Sequence, residues 1–193
     1  MFFNSRRQFL VRTGVTGAAL LANAAVPPAA RAASAQSIAA NCRKTLSALY
    51  IESDKARELG NRSRAVLVFP HIVKAGFVVG GQGGDGALFL NGESDPEAYY
   101  QIAAASFGLQ AGAQAFSYVL FFITQSSLDF LRKSDGWSIG SGPSVVVIDQ
   151  GMAKSMTSTT LTQDVYAIPF GQKGLMAGLG LEGSKISQIH PDE

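Results

Sequence analysis

The chain has 193 residues, 47% hydrophobic and 16% charged, with 21 glycines and a single cysteine; this balance fits one folded domain and excludes a disordered chain, a disulfide scaffold and a zinc ribbon. The formal charge of +2 comes from Arg6, Arg7, Arg12 and Arg31, since beyond the first 32 residues 12 Lys and Arg face 14 Asp and Glu. That acidic remainder lacks the cation surplus with which nucleic-acid binders displace counterions, so no nucleic-acid partner is expected.

Residues 1–32 read as an export signal. Met1–Arg12 carries three arginines and no acid, Gly14–Val26 is weakly apolar, and Ala30-Arg31-Ala32 satisfies the small-x-small cleavage rule. Ser5-Arg6-Arg7-Gln8-Phe9-Leu10 resembles the twin-arginine translocation consensus, departing at Val11, where lysine is common. Gly14, Thr16 and Gly17 interrupt the apolar stretch and Arg31 follows it late, which favours twin-arginine export over ordinary secretion; the stretch is also too short and broken to span a bilayer well. The expectation is a bacterial-type protein exported to the periplasm, with residues 33–193 as its mature domain. Asn41, rather than a small residue, precedes Cys42, so Cys42 is expected as a packed side chain and not a lipidation site.

Ser34–Leu59 has Ile38, Cys42, Leu46, Leu49 and Ala56 at helical spacing with Gly60 as a stop, which predicts one amphipathic helix. Strands follow: Ala65–Phe69 ending at Pro70, Ala75–Val79, and Ala87–Leu90 after a hairpin signal at Asp85-Gly86. Seven glycines fall between Gly76 and Gly92, and Gly83 and Gly86 are expected in the hairpin turn, at least one of them with positive φ. Further strands are expected at Tyr99–Leu109, Ala113–Thr124, Ser144–Ile148, Val165–Phe170 and Gly174–Leu181, with a short serine-capped helix at Ser127–Lys133. No charge lies between Ala98 and Leu128, but the glutamines and glycines there favour buried strands over a membrane helix. The fold class predicted is α+β: an N-terminal amphipathic helix packed on a strongly bent, glycine-rich antiparallel β-sheet or partly closed barrel.

Charge is unevenly placed. From Cys42 to Ala75 seven cations face three acids, whereas from Gly76 onward five cations face eleven acids. Arg43, Lys44, Arg57, Arg62, Arg64 and Lys74 are therefore the candidate contacts for anionic lipid headgroups, each well-placed cation being worth about 1 kcal/mol at a charged membrane. An ordinary solvated helix face is the competing reading.

Several motifs resemble chemistry without its context. Gly81-Gln82-Gly83-Gly84-Asp85-Gly86 has the G-x-G-x-x-G spacing, but a strand follows where a dinucleotide site needs a helix N-terminus. Gly136-Trp137-Ser138-Ile139-Gly140 has the nucleophile-elbow spacing, with Asp149 or Asp164 and His190 in hydrolase order, yet it is flanked by polar and loop residues rather than a strand and a helix. His71 and His190 are the only histidines, and the spacing of Asp85, Glu93, Asp95 and Glu97 is not that of a calcium loop. No metal, cofactor or catalytic residue is expected.

Four ordered stretches carry a family resemblance: Arg64–Pro70 with Ala75–Gly81, then Ala105–Gln114, then Gly142-Pro143, then Lys173–Ser184. Together they resemble the SYLF domain, shared by bacterial exported proteins and by eukaryotic phosphoinositide- and actin-associated proteins. The resemblance implies a non-enzymatic domain that binds acidic phospholipid or phosphoinositide headgroups. It departs at Asn91–Gln101, which has Tyr99 and Tyr100 where the family has a tryptophan-containing segment, and the actin binding of eukaryotic members does not carry over to a bacterial envelope protein. The expected function is a periplasmic or envelope-associated lipid-binding module whose partner is phospholipid or a membrane surface. A small serine hydrolase using Ser138 and a structural domain that docks an unidentified protein partner are the alternatives.

Overall fold

A computed structural model of the chain describes residues 33–76, 79–107, 112–148, 162–174, 181 and 183–192. The export signal expected over residues 1–32 lies outside them, as do Asp149 and most of the strand expected at Gly174–Leu181. Chain order is α1 (Ala35–Glu52), α2 (Asp54–Arg62), β1 (Ala65–Gly76), β2 (Val79–Leu90), β3 (Ala98–Phe107), β4 (Gly112–Phe122), α3 (Gln125–Lys133), β5 (Trp137–Ser138), β6 (Val145–Val147), β7 (Val165–Gly174) and β8 (Lys185–Ile189). The eight strands form one curled sheet in the order β5-β8-β3-β2-β1-β4-β7-β6. Its pairings are antiparallel except for β6 with β7. The α+β expectation, helix first and bent sheet after, is borne out.

Side chains alternate between two cores, as strand geometry requires. Val66 and Val68 of β1 join Phe89, Val119, Phe121 and Tyr166 under Ile38, Cys42 and Leu49 of α1 and Leu59 of α2. Leu67, Phe69 and Ile72 point to the other face, with Leu88, Tyr100, Ile102, Tyr118, Phe122 and Trp137, closed by Leu128 and Leu131 of α3. Burial on both faces explains the uncharged run through β4, where Phe116–Phe122 is buried throughout. None of the described helices is long and apolar enough to cross a membrane.

Four local expectations are corrected. The single helix to Leu59 is two, because Ser53 adopts an extended backbone (φ −138°, ψ 106°). Its side chain accepts from the Ala56 N–H at 3.1 Å, while its own N–H closes α1 onto the Leu49 carbonyl. Asp54 then sits at the positive end of the new helix. Gly60 lies inside α2 rather than ending it, with the Tyr50 ring packed where a side chain would project.

The strand expected to stop at Pro70 continues. Register with β2 is lost after Val68 and resumes at Val73, and register with β4 is lost after Phe69 and resumes at Ile72, so Pro70 and His71 lie in a bulge, the position in a sheet that tolerates a residue without an N–H. The Ser117 hydroxyl donates to the Pro70 carbonyl at 2.7 Å and ties the bulge to β4.

Asp85-Gly86 is not a hairpin turn: it lies inside β2, opposite Gln101 and Tyr100 of β3. Neither Gly83 nor Gly86 is among the glycines with positive φ. Gly86 is required for close approach, because a Cβ there would collide with the Val68 carbonyl and lie 2.6 Å from Cδ1 of Phe69. The turn that follows β2 uses Gly92 instead, at φ +87°.

Finally, α3 is capped by Thr124, not by a serine. Thr124 Oγ1 accepts from the Ser127 N–H at 3.3 Å and donates to Asp164 at 2.9 Å. The N–H of Ser144, helped by the hydroxyls of Thr124 and Ser144, holds the Asp164 carboxyl below its ordinary range.

Candidate functional site

Arg64 stands between α2 and β1, where its backbone is tied on two sides. Its N–H donates to the Phe122 carbonyl at 2.7 Å, and its carbonyl accepts from the Asn91 N–H at 3.0 Å. The Asn91 side chain in turn donates to the carbonyls of Ser63 at 3.0 Å and Asn61 at 3.4 Å, fastening the C-terminal end of α2 to the end of β2. From the opposite wall α3 presents Arg132 in its last turn, paired with Glu97 ahead of β3 and 3.9 Å from Asp129.

Between these elements lies a cleft of about 710 Å³ lined by Arg62, Arg64, Arg132, Asn61, Asn91, Gln125, Glu93 and Leu128 among others. Three guanidinium groups face one lining carboxylate, Glu93. Arg62 is paired with Glu58 at 3.5 Å, and Arg132 with Glu97. Arg64 is exposed, and among the described residues its guanidinium has no ion pair and no hydrogen bond. An exposed guanidinium of this kind offers parallel N–H donors of the geometry that carboxylates and phosphates accept.

A second, more apolar cleft of about 370 Å³ adjoins it, lined by Leu46, Tyr50, Val66 and Phe89 together with Arg43 and Ser47. Asn61, Leu90, Asn91 and Glu93 line both clefts. Burial pushes the Tyr50 hydroxyl up to about 12.

The six cations read from the sequence do not form one patch. Arg62 and Arg64 meet in the basic cleft. Arg43 lies over the Phe89 ring, 5.9 Å from its centroid, donates to the Ser94 carbonyl at 2.9 Å and pairs with Asp95 at 3.0 Å. Arg57 pairs with Asp54 at 2.8 Å and donates to the Tyr50 carbonyl. Lys44 lines a separate pocket of about 410 Å³ with Pro70, His71 and Phe170. Lys74 is cross-strand neighbour to Gln82 and Gln114 at the far end of β1, roughly 30 Å of strand from Arg64 at about 3.3 Å per residue. The sequence reading omitted Arg132. It belongs to another element, with no local motif to mark it.

The serine-hydrolase constellation is not assembled. Ser138 is an exposed residue of the short edge strand β5, opposite Lys185, whereas His190 follows the other end of β8, about 16 Å away by strand rise. Asp164 is engaged by Thr124 and Ser144, and Asp149 lies outside the described residues. A tight turn with positive-φ Gly140 and Gly142 follows Ser138, not the helix an elbow requires.

The acids considered for calcium are dispersed. Asp85 accepts from Gln101 at 3.2 Å, Asp95 and Glu97 pair with arginines, and no cluster able to hold a metal ion occurs among the described residues. Cys42 is packed as expected: its thiol donates to the Val68 carbonyl at 3.2 Å, and burial pushes it up to about 12.

Among known families, the Ysc84 model, described as "Las17-binding protein actin regulator", matches residues 103–191. This bears out the resemblance to the SYLF family over that stretch. The match includes α3 and Arg132 but begins after Arg62 and Arg64, so the basic cleft joins matched and unmatched parts of the chain. No curated protein matches the chain.

Proposed function

We propose that this protein is a non-enzymatic lipid-binding module that recognises anionic phospholipid headgroups through Arg62, Arg64 and Arg132. The observation that carries the reading is the exposed Arg64 guanidinium, without a side-chain partner among the described residues, on a doubly tied backbone in a cleft that two other arginines also line. A phosphate accepts two parallel N–H bonds from such a group. The SYLF resemblance supports the lipid class. Of the six cations read from the sequence, Arg62 and Arg64 are retained as primary contacts; Arg43, Lys44, Arg57 and Lys74 contribute at most to the surrounding field.

Co-sedimentation of the protein with vesicles tests this. Binding to phosphatidylglycerol-containing vesicles should exceed binding to phosphatidylcholine vesicles, fall as salt is raised, since exposed charges are screened beyond about 8 Å at physiological ionic strength, and drop roughly tenfold in Arg64→Glu, the equivalent of about 1.4 kcal/mol. Equal binding to both vesicles at low salt overturns the reading. We further propose, from Ser5–Leu10, delivery to the periplasm by the twin-arginine route. Replacing Arg6 and Arg7 with lysine should then leave precursor in the cytoplasm, as cell fractionation reads; periplasmic delivery of that variant overturns it.

The matched family is described as a protein-binding regulator, which favours a protein partner as the second reading. Retention of a partner by Arg64→Glu protein that has lost vesicle binding would support it.

A further inference from the structure

We propose that the two adjoining clefts seat one amphiphile, its anionic head against Arg62, Arg64 and Arg132 and the start of its chain against Leu46, Tyr50, Val66 and Phe89. The proposal rests on the headgroup reading above and adds that a lipid monomer enters the protein, rather than the protein resting on a flat bilayer.

Three observations support this. The clefts share a wall, since Asn61, Leu90, Asn91 and Glu93 line both. Their character changes across that wall, from guanidinium groups on one side to a phenylalanine ring, a tyrosine ring and aliphatic side chains on the other. Their volumes, about 710 and about 370 Å³, fall within the usual range for small-molecule sites, roughly 300–1,000 Å³. A free anion would use the first cleft alone, and a bilayer surface would need exposed cations without an apolar recess. An occupant that is charged at one end and apolar at the other matches the polarity of both.

The recess borders α1, and Ser47 is an exposed α1 residue on its lining. A large side chain at Ser47 would fill the recess without entering either core. Arg43 lies over Phe89 at the edge of the recess and is held there by Ser94 and Asp95, so its charge is already met within the protein.

Isothermal titration of the full chain with monomeric n-alkyl phosphates, from butyl to decyl and below their micelle concentrations, tests the proposal. Affinity should rise up to about fourfold per added methylene, the equivalent of ~0.8 kcal/mol for each CH₂ buried, and level off once the recess is full. Ser47→Trp should abolish the chain-length increments. Leu46→Gln, a second route to the same change, should reduce them, and thermal melting verifies that both variants are folded. Arg64→Glu should weaken every chain length by one common factor.

An affinity independent of chain length overturns the proposal, as does an equal loss at every length in folded Ser47→Trp protein. If anionic vesicles bind but alkyl phosphates of every length do not, the single-amphiphile seat fails and headgroup recognition stands. If neither binds, both readings fall together.

Discussion

The two halves of β1, on either side of the Pro70–His71 bulge, have the same neighbours but are built on different physical terms. In the first half, Ala65–Phe69 is at most 6% exposed and pairs with Ala87–Leu90 and Tyr118–Phe122, so large side chains fill both faces. In the second half, Val73 is 44% exposed, and the paired residues on β2 and β4 include Gly80, Gly81, Gly83, Gly112, Ala113 and Ala115. Near the bulge, Gly84 and Gly86 of β2 admit the backbone of β1 at distances no side chain would allow. Gln114, on β4 beside Lys74, is buried, and among the described residues neither of its amide atoms has a hydrogen-bond partner. The contrast shows why the candidate site belongs to the first half: Arg64 immediately precedes the part of β1 that is packed on both faces, and a charged group on rigid backbone loses less freedom when it binds.

The largest effect that would sharpen this contrast is expected from Leu67→Ala in the side-chain-packed half. Leu67 is fully buried, and the change should cost about 2–5 kcal/mol in urea unfolding; a loss below about 1 kcal/mol would mean that the first half is not held by volume. Gly86→Ala comes next, at roughly 1–3 kcal/mol, because its Cβ would drive into Val68 and Phe69. Gly83→Ala is the control, since a Cβ there lies 3.6 Å from the Ile102 carbonyl, an ordinary contact. It should be neutral or stabilising by up to about 1 kcal/mol, and equal losses at Gly83 and Gly86 would dismiss close approach as the reason for Gly86. The smallest change is expected from Val73→Ala, within about 0.5 kcal/mol as for other exposed positions; a loss as large as that of Leu67→Ala would erase the distinction between the halves.

Periodicity made much of this fold legible. The amphipathic spacing of Ile38, Cys42 and Leu49 marked α1, and the uncharged apolar runs marked β3 and β4, because each pattern is a direct consequence of local backbone geometry. Breaks were less visible. Ser53 ends one helix and starts another with a single serine inside a continuous amphipathic pattern, and its capping role is apparent only once its side chain is seen at the Ala56 N–H. Gly83 and Gly86 resemble turn residues in the sequence because glycine has two uses, positive φ and close approach. Residue type alone does not separate them. Strands β5 and β8 have too few apolar residues to announce themselves and owe their existence to pairing with each other and with β3.

The candidate site divides in the same way. A local excess of cations between Cys42 and Ala75 is a property of the chain and drew attention to Arg62 and Arg64 before any fold was known. Only the tertiary structure separated those two from Lys74 at the other end of β1, committed Arg43 to Ser94 and Asp95, and brought Arg132 across from α3. By itself, the sequence determined the class of fold, the absence of a hydrolase or nucleotide context around its glycine motifs, and the general location of positive charge. Whether a cation is available depends on which oxygens lie within about 4 Å of it: Arg57 and Arg62 find theirs within helical reach, on Asp54 and Glu58, but those of Arg43 and Arg132, on Ser94, Asp95 and Glu97, belong to residues distant along the chain. Local patterns carry no record of such distances; sheet register and helix packing set them.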